Sequence, residues 1–121
     1  MDQAVRTALE NDRTIDITTT GRRSGQTHRI EIWLHSFDGR FFLSGSPGTR
    51  DWYANLLAEP AFQLHIKQSL QADLQATARP ILDPGERQPI LGHIMGGHRP
   101  ASNLDDWMAR SPLVEILFSE H

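Results

Sequence analysis

The sequence predicts a mainly β domain with short helices (α+β), in which about six antiparallel strands close into a small barrel with helices over its ends. Three observations carry this. Segments of alternating polar and apolar residues recur along the chain. Turn signals at short spacing join most of them, rather than long helical crossovers. No strand–Gly-x-Gly-x-x-Gly–helix unit occurs, which argues against a parallel dinucleotide-binding fold.

The elements follow in order. Residues 1–12 form an N-terminal helical arm, with Val5 and Leu9 four apart on one face. Ile15 to Thr20 is a strand rich in β-branched residues. His28 to Ser36 reads as one alternating strand, with Ile30, Ile32 and Leu34 on one side and Arg29, Glu31, Trp33 and His35 on the other. Asp38-Gly39 marks a hairpin, and Phe41 to Ser44 returns from it. Thr49 is the expected N-cap of a helix over 50–58, with Trp52/Leu56 and Tyr53/Leu57 on its inner side and Pro60 as its stop. Ala61 to Lys67 and Leu70 to Ala78 alternate again. Asp83-Pro84-Gly85-Glu86 predicts a capping box opening a helix that ends at Gly96-Gly97. Ser102 caps a last short helix carrying Leu104, Trp107 and Met108, and Pro112 separates it from a final strand, Leu113 to Phe118.

The 121 residues are expected to form a single domain, 1–121, with a substantial core. A net charge of −3 and a pI near 6.0 argue against a general nucleic-acid binder. The absence of cysteine excludes disulfides, thiol chemistry and cysteine metal sites, and fits a cytoplasmic chain. No apolar run approaches the roughly 18 residues of a membrane helix, and the N-terminus lacks a signal-peptide core. No metal site is expected: His93 and His98 straddle a Gly-Gly break, His28 and His35 alternate onto opposite faces, and His65 points outward from its strand. A Gly-x-Ser-x-Gly nucleophile elbow is also missing, which leaves a hydrolase unsupported.

Two features stand out. The run Thr18-Thr19-Thr20-Gly21-Arg22-Arg23-Ser24-Gly25-Gln26 gathers arginines, hydroxyls and glycines at a turn, which suits either a solvated hairpin tip or an anion cradle. Trp33 lies on an otherwise polar strand face, either packed under a partner or walling a flat ligand. A ring-shaped ligand with an anionic tail would use both.

That run resembles the Thr-Thr-x-Gly-Arg-[Lys/Arg]-Ser-Gly signature of the deazaflavin-dependent nitroreductase and quinone reductase family. Asp38-Gly39-Arg40, Ser44-Gly45-Ser46 and Trp52-Tyr53-x-Asn55-Leu56-x-Ala58-x-Pro60 match in the same order, as does the closing Pro112 with its apolar strand. The resemblance spans residues 14 to 119. It implies a split β-barrel, FMN-binding-protein-like, that binds coenzyme F420 and passes hydride to a quinone, enone or nitroaromatic. It assigns the anionic tail to Arg22 and Arg23, with Ser24 of the same signature. His28, where typical members carry arginine, or its neighbour Arg29 takes over that position's role. Ser44, Gly45 and Ser46 match the strand end whose backbone approaches the deazaflavin ring, and Trp33 and Trp52 match aromatic positions of the site. No residue is assigned a catalytic role, and the partners implied are small molecules, with a homodimer left open.

Departures from the family pattern are specific. The loop before Trp52 is shorter, Glu31 stands where proline is typical, and Gly96 to Asp106 has none of the nitroreductase's substrate-side tyrosines. A carboxylate at Glu31 would repel an anionic cofactor unless paired with an arginine. Two other readings stay open at this point: the same barrel holding FMN, and a non-catalytic carrier of an apolar or flavin-like ligand.

Overall fold

The alternating segments pair into one antiparallel sheet of seven strands rather than six in the computed structural model, which describes residues 1–96 and 104–119. The elements are α1 (Gln3–Asn11), β1 (Thr14–Thr20), β2 (Thr27–Trp33), β3 (His35–Phe37), β4 (Arg40–Ser44), α2 (Asp51–Ala58), β5 (Ala61–Ile66), β6 (Ala72–Pro80), α3 (Pro84–Met95), α4 (Leu104–Arg110) and β7 (Leu113–Phe118). Their order across the sheet is β2-β1-β5-β6-β7-β4-β3.

The extra strand comes from the run read as continuous. His28 to Ser36 splits at Leu34, so that β2 pairs with β1 and β3 pairs with β4, at opposite edges of the sheet. Leu34 buries its side chain, and its N–H donates to the Arg13 carbonyl at 2.8 Å. Alternation continues across the break, which is why the pattern hides it. One residue therefore links the two edges, and the sheet curls into a half-barrel. Asp38 and Gly39 both take positive φ, 56° and 73°, as an Asp-Gly hairpin turn requires.

Inward side chains fill the barrel: Ile15 and Ile17 from β1, Ile32 from β2, Phe41 and Leu43 from β4, Leu64 from β5, Val114 and Ile116 from β7. Ala8 and Leu9 of α1 and Leu56 of α2 complete this interior. A second apolar layer lies outside it, where Phe42 and Leu113 meet Ile90, Leu91, Met95 and Trp107 of α3 and α4. β4 is therefore buried on both faces.

Several local expectations change. Arg50, not Thr49, occupies the N-cap of α2, without a side-chain cap. Leu57 faces solvent, whereas Leu56 is fully buried. Asp83 does cap α3, accepting from the Glu86 N–H at 3.0 Å, but the Glu86 side chain goes to Arg79 and Arg40 rather than closing a box. Gly97, His98 and Ser102, where the sequence predicts a helix stop, no metal ligand and a helix cap, lie outside the described residues. No described helix is long and apolar enough to cross a membrane.

Candidate functional site

The turn between β1 and β2 commits part of its donor set and leaves the rest open. Gly21 N–H donates to Gln26 O at 2.7 Å, Gly25 N–H to Gly21 O at 2.9 Å, and Gln26 N–H to Ser24 Oγ at 3.1 Å. Gly25 holds φ at 73°, a conformation glycine adopts without strain. The buried Asn55 of α2 adds an anchor: its Oδ1 accepts from the Arg22 backbone N–H at 3.1 Å and from Arg22 Nη1 at 2.9 Å. Arg22 Nη2 also reaches the exposed Asp51 carboxylate at 3.4 Å. What remains sits on adjacent residues. The backbone N–H groups of Arg23 and Ser24, the Ser24 hydroxyl proton and the Arg23 guanidinium have no partner among the described residues. An anion is the ligand such a donor-only set accommodates.

This turn borders a cleft of about 560 Å³ lined by Arg22, Arg23, Ser24, His28 and Trp52. Gly21 forms its floor beside His28: a Cβ there would lie 2.8 Å from Ser24 Oγ and 2.9 Å from His28 Nε2. Arg29 is not brought here. It donates from Nε to Asp16 Oδ2 at 3.0 Å, and Lys67 bonds the other oxygen of Asp16 at 2.7 Å. These bonds, Lys67 first, hold the Asp16 carboxyl below its ordinary range. Lys67 also binds Glu31, so the carboxylate expected to pair with an arginine is neutralised by a lysine instead.

A second cleft, of about 870 Å³, adjoins the first. Trp33, Ser44, Gly45, Ser46 and Trp52 line it, and Trp52 is the wall the two clefts share. Trp33 stands 56% exposed at its rim. Ser44 turns its hydroxyl inward, donating to Pro112 O at 2.7 Å, while the Arg50 guanidinium lies over Gly45. Across from it come Ile94, Met95 and Trp107 of α3 and α4, which sequence reasoning did not place in the site. Arg87 holds that wall. Its buried guanidinium donates to four carbonyls, Ile81, Trp107, Met108 and Ser111, at 2.7 to 3.1 Å. Burial pushes its pKa down, and the carbonyl ring compensates without a carboxylate.

Sequence reasoning also missed Asn55 as the anchor of the turn, although the residue was part of a quoted motif. A polar residue on the inner face of an amphipathic helix is the signal that could have found it. His65 is not a surface histidine. It points to the outer side of β5 as expected, yet is buried there between the Thr18 hydroxyl and Asp73, each 2.7 Å away. Among the described residues no group of three or more histidines and carboxylates could hold a metal.

The sequence model of the family described as F420H(2)-dependent quinone reductase matches residues 2–111. Among solved structures, one described as an F420-H2 dependent reductase (FDR-A) is similar at 22% identity, covering 87% of this chain and 94% of its own, with a TM-score of 0.64. Another, described as an F420 reductase, is similar at 16% identity over 99% of this chain and 97% of its own, with a TM-score of 0.70. A FAD-binding protein from Mesorhizobium loti is similar at 13% identity over 99% and 91%, with a TM-score of 0.65. At these identities the likeness is one of fold: a curled, mostly β half-barrel with short helices.

Proposed function

The chain belongs to the F420H2-dependent quinone reductase family, and from that premise we propose that it binds coenzyme F420 across its two adjoining clefts and reduces a flat organic acceptor. The observation that carries this is the open donor set of Arg23 and Ser24, next to an aromatic cleft with Trp52 as common wall. The residues present fit the group. Arg23, with the Arg22 that Asn55 anchors, would hold the phosphate and glutamyl tail, and the Ser24 hydroxyl and N–H would add donors. His28 stands where it can join them; Arg29, engaged with Asp16, does not.

Bound and reduced, the cofactor supplies a hydride. The chain's own part is to hold, orient and exclude water. Gly45 and the backbone of Ser44 and Ser46 offer a strand end of small residues, where a flat ring would lie beside the Arg50 guanidinium that is held on Ser46. Trp33, exposed at the rim, gives the acceptor an aromatic face to stack on. No side chain is asked to donate a proton to the acceptor, so solvent is its source. Quinones, enones and nitroaromatics all suit such a slot. FMN is the second reading, because its phosphate would suit the same donors on Arg23 and Ser24.

The test is turnover. Under anaerobic conditions the protein is mixed with reduced F420 and 2-methyl-1,4-naphthoquinone, and the return of oxidised F420 absorbance is followed. Return faster than the protein-free blank is expected, and slower in Arg23→Ala at low cofactor concentration. Cofactor binding with no rate above the blank would leave a carrier. Turnover with reduced FMN alone would favour the second reading.

A further inference from the structure

The aromatic cleft carries more positive charge than a neutral acceptor needs. Arg13 and Arg50 both line it, and neither guanidinium makes an ion pair among the described residues. The carboxylate at its edge, Glu31, is engaged by Lys67. Arg50 is nevertheless held in place. Its Nη1 donates to Thr49 O at 3.0 Å, and its Nη2 to Ser46 O and Ser46 Oγ, each at 3.0 Å. These partners are neutral, so they fix the guanidinium without cancelling its charge, and two of its five N–H donors stay uncommitted.

The loop before α2 sets this placement. Gly48 takes φ of 133°, which favours glycine, and the chain folds back so that Arg50 lies over Gly45, 3.5 Å from where a Cβ would stand. Leu34 and Arg13 are joined by a backbone hydrogen bond at the barrel seam, which sets Arg13 beside the start of β3 on the same cleft. A fixed cation and a free one thus line the aromatic cleft, while the other basic pair, Arg22 and Arg23, lines the adjoining one.

We propose that Arg13 and Arg50 form an anion subsite of the aromatic cleft that selects a flat aromatic acceptor bearing a negatively charged substituent, such as an ionised hydroxyl or a carboxylate on a quinone ring. The inference rests on the proposed function for the ligand's role as acceptor; its binding does not require the cofactor.

The experiment compares quinones of the same ring and different charge. Quenching of tryptophan emission is titrated, without cofactor, using 2-hydroxy-1,4-naphthoquinone, whose hydroxyl is ionised at neutral pH, and neutral 2-methyl-1,4-naphthoquinone. Wild type should bind the ionised ring about tenfold more tightly, the scale of a charge-assisted hydrogen bond. Raising the salt should shrink that preference. Arg13→Gln/Arg50→Gln should bind both rings equally, while Arg50→Lys keeps the preference. Equal binding of the two rings by wild type would overturn the proposal. So would a preference that survives the double substitution, or one lost in Arg50→Lys. A parallel F420 titration separates this outcome from the proposed function, since either can fail while the other stands.

Discussion

At the scale of single residues, Gly21 and Asn55 decide the shape of the basic turn. A methyl on Gly21 would press on Ser24 Oγ and His28 Nε2, side-chain ends that can move, and on the Gln26 carbonyl at 3.1 Å, which must give by a few tenths of an ångström. Gly21→Ala is therefore expected to weaken F420 binding about tenfold, by displacing Ser24 and His28, while costing only ~1 kcal/mol of stability. Fluorescence titration and a thermal melt check the two halves. Asn55 gives a sharper contrast. Asn55→Ala leaves the Arg22 N–H without its acceptor and should cost roughly 1–3 kcal/mol, read as a lowered Tm. Asn55→Asp keeps the acceptor and should fold well, but its charge neutralises Arg22, so cofactor affinity should fall. That Arg22, Arg23 and Ser24 stand at a turn was legible in the sequence, because turn chemistry is local. Asn55 was legible as a motif member but not as an anchor, because its contact spans 33 residues.

At the scale of elements, the barrel seam was hidden for a related reason. Alternation reports which side of a strand faces the core, and it runs unbroken from Ile30 through Leu34 while the strand partner changes from β1 to β4. Hairpins were legible because Asp38-Gly39 fixes its turn locally; the edge-to-edge link at Leu34 depends on partners distant in sequence. The α3–α4 wall is another case. α4 has seven residues, too few to be stable alone, and its C-terminal carbonyls are held by Arg87. Nothing in the α3 sequence distinguishes Arg87 from a solvated arginine. Arg87→Met removes a donor from four carbonyls, of which Trp107 O keeps the Ser111 N–H, and should cost roughly 2–4 kcal/mol in urea unfolding. With Trp33→Phe and Trp52→Phe in the background, the emission of Trp107 should shift to the red as its wall loosens. An unshifted spectrum would show that Arg87 does not hold Trp107.

At the scale of the whole molecule, charge is segregated. The chain carries −3 net, yet both clefts are lined by arginines, so an anionic ligand is drawn to the clefts rather than to the surface at large. Lining neither cleft, Glu115 of β7 and Glu86 of α3 sit between Arg40 and Arg79, tying α3 to β4, β6 and β7. Hydrogen bonds from Arg40, then Arg79, hold Glu115 below its ordinary value of 4.5, and Arg79, then Arg40, do the same for Glu86. Depressed carboxyl pKa values stabilise the fold fully above that ordinary value. The stabilisation is lost as pH falls through the folded values, because the unfolded chain takes up the protons first. Tm should therefore drop as pH is lowered below about 4.5, and Glu115→Gln should flatten that dependence while lowering Tm at neutral pH.

If the Arg22–Ser24 turn holds the anionic tail of a deazaflavin cofactor, removing its two guanidinium groups must weaken cofactor binding. The most direct measurement is a fluorescence titration of the protein with oxidised F420 and, separately, with FMN, in wild type and in Arg22→Ala/Arg23→Ala. Saturable F420 binding that is at least about tenfold weaker in the double variant, with FMN bound more weakly than F420 by wild type, is the predicted result. F420 binding of equal strength in both proteins, or none in wild type at tens of micromolar, would contradict it.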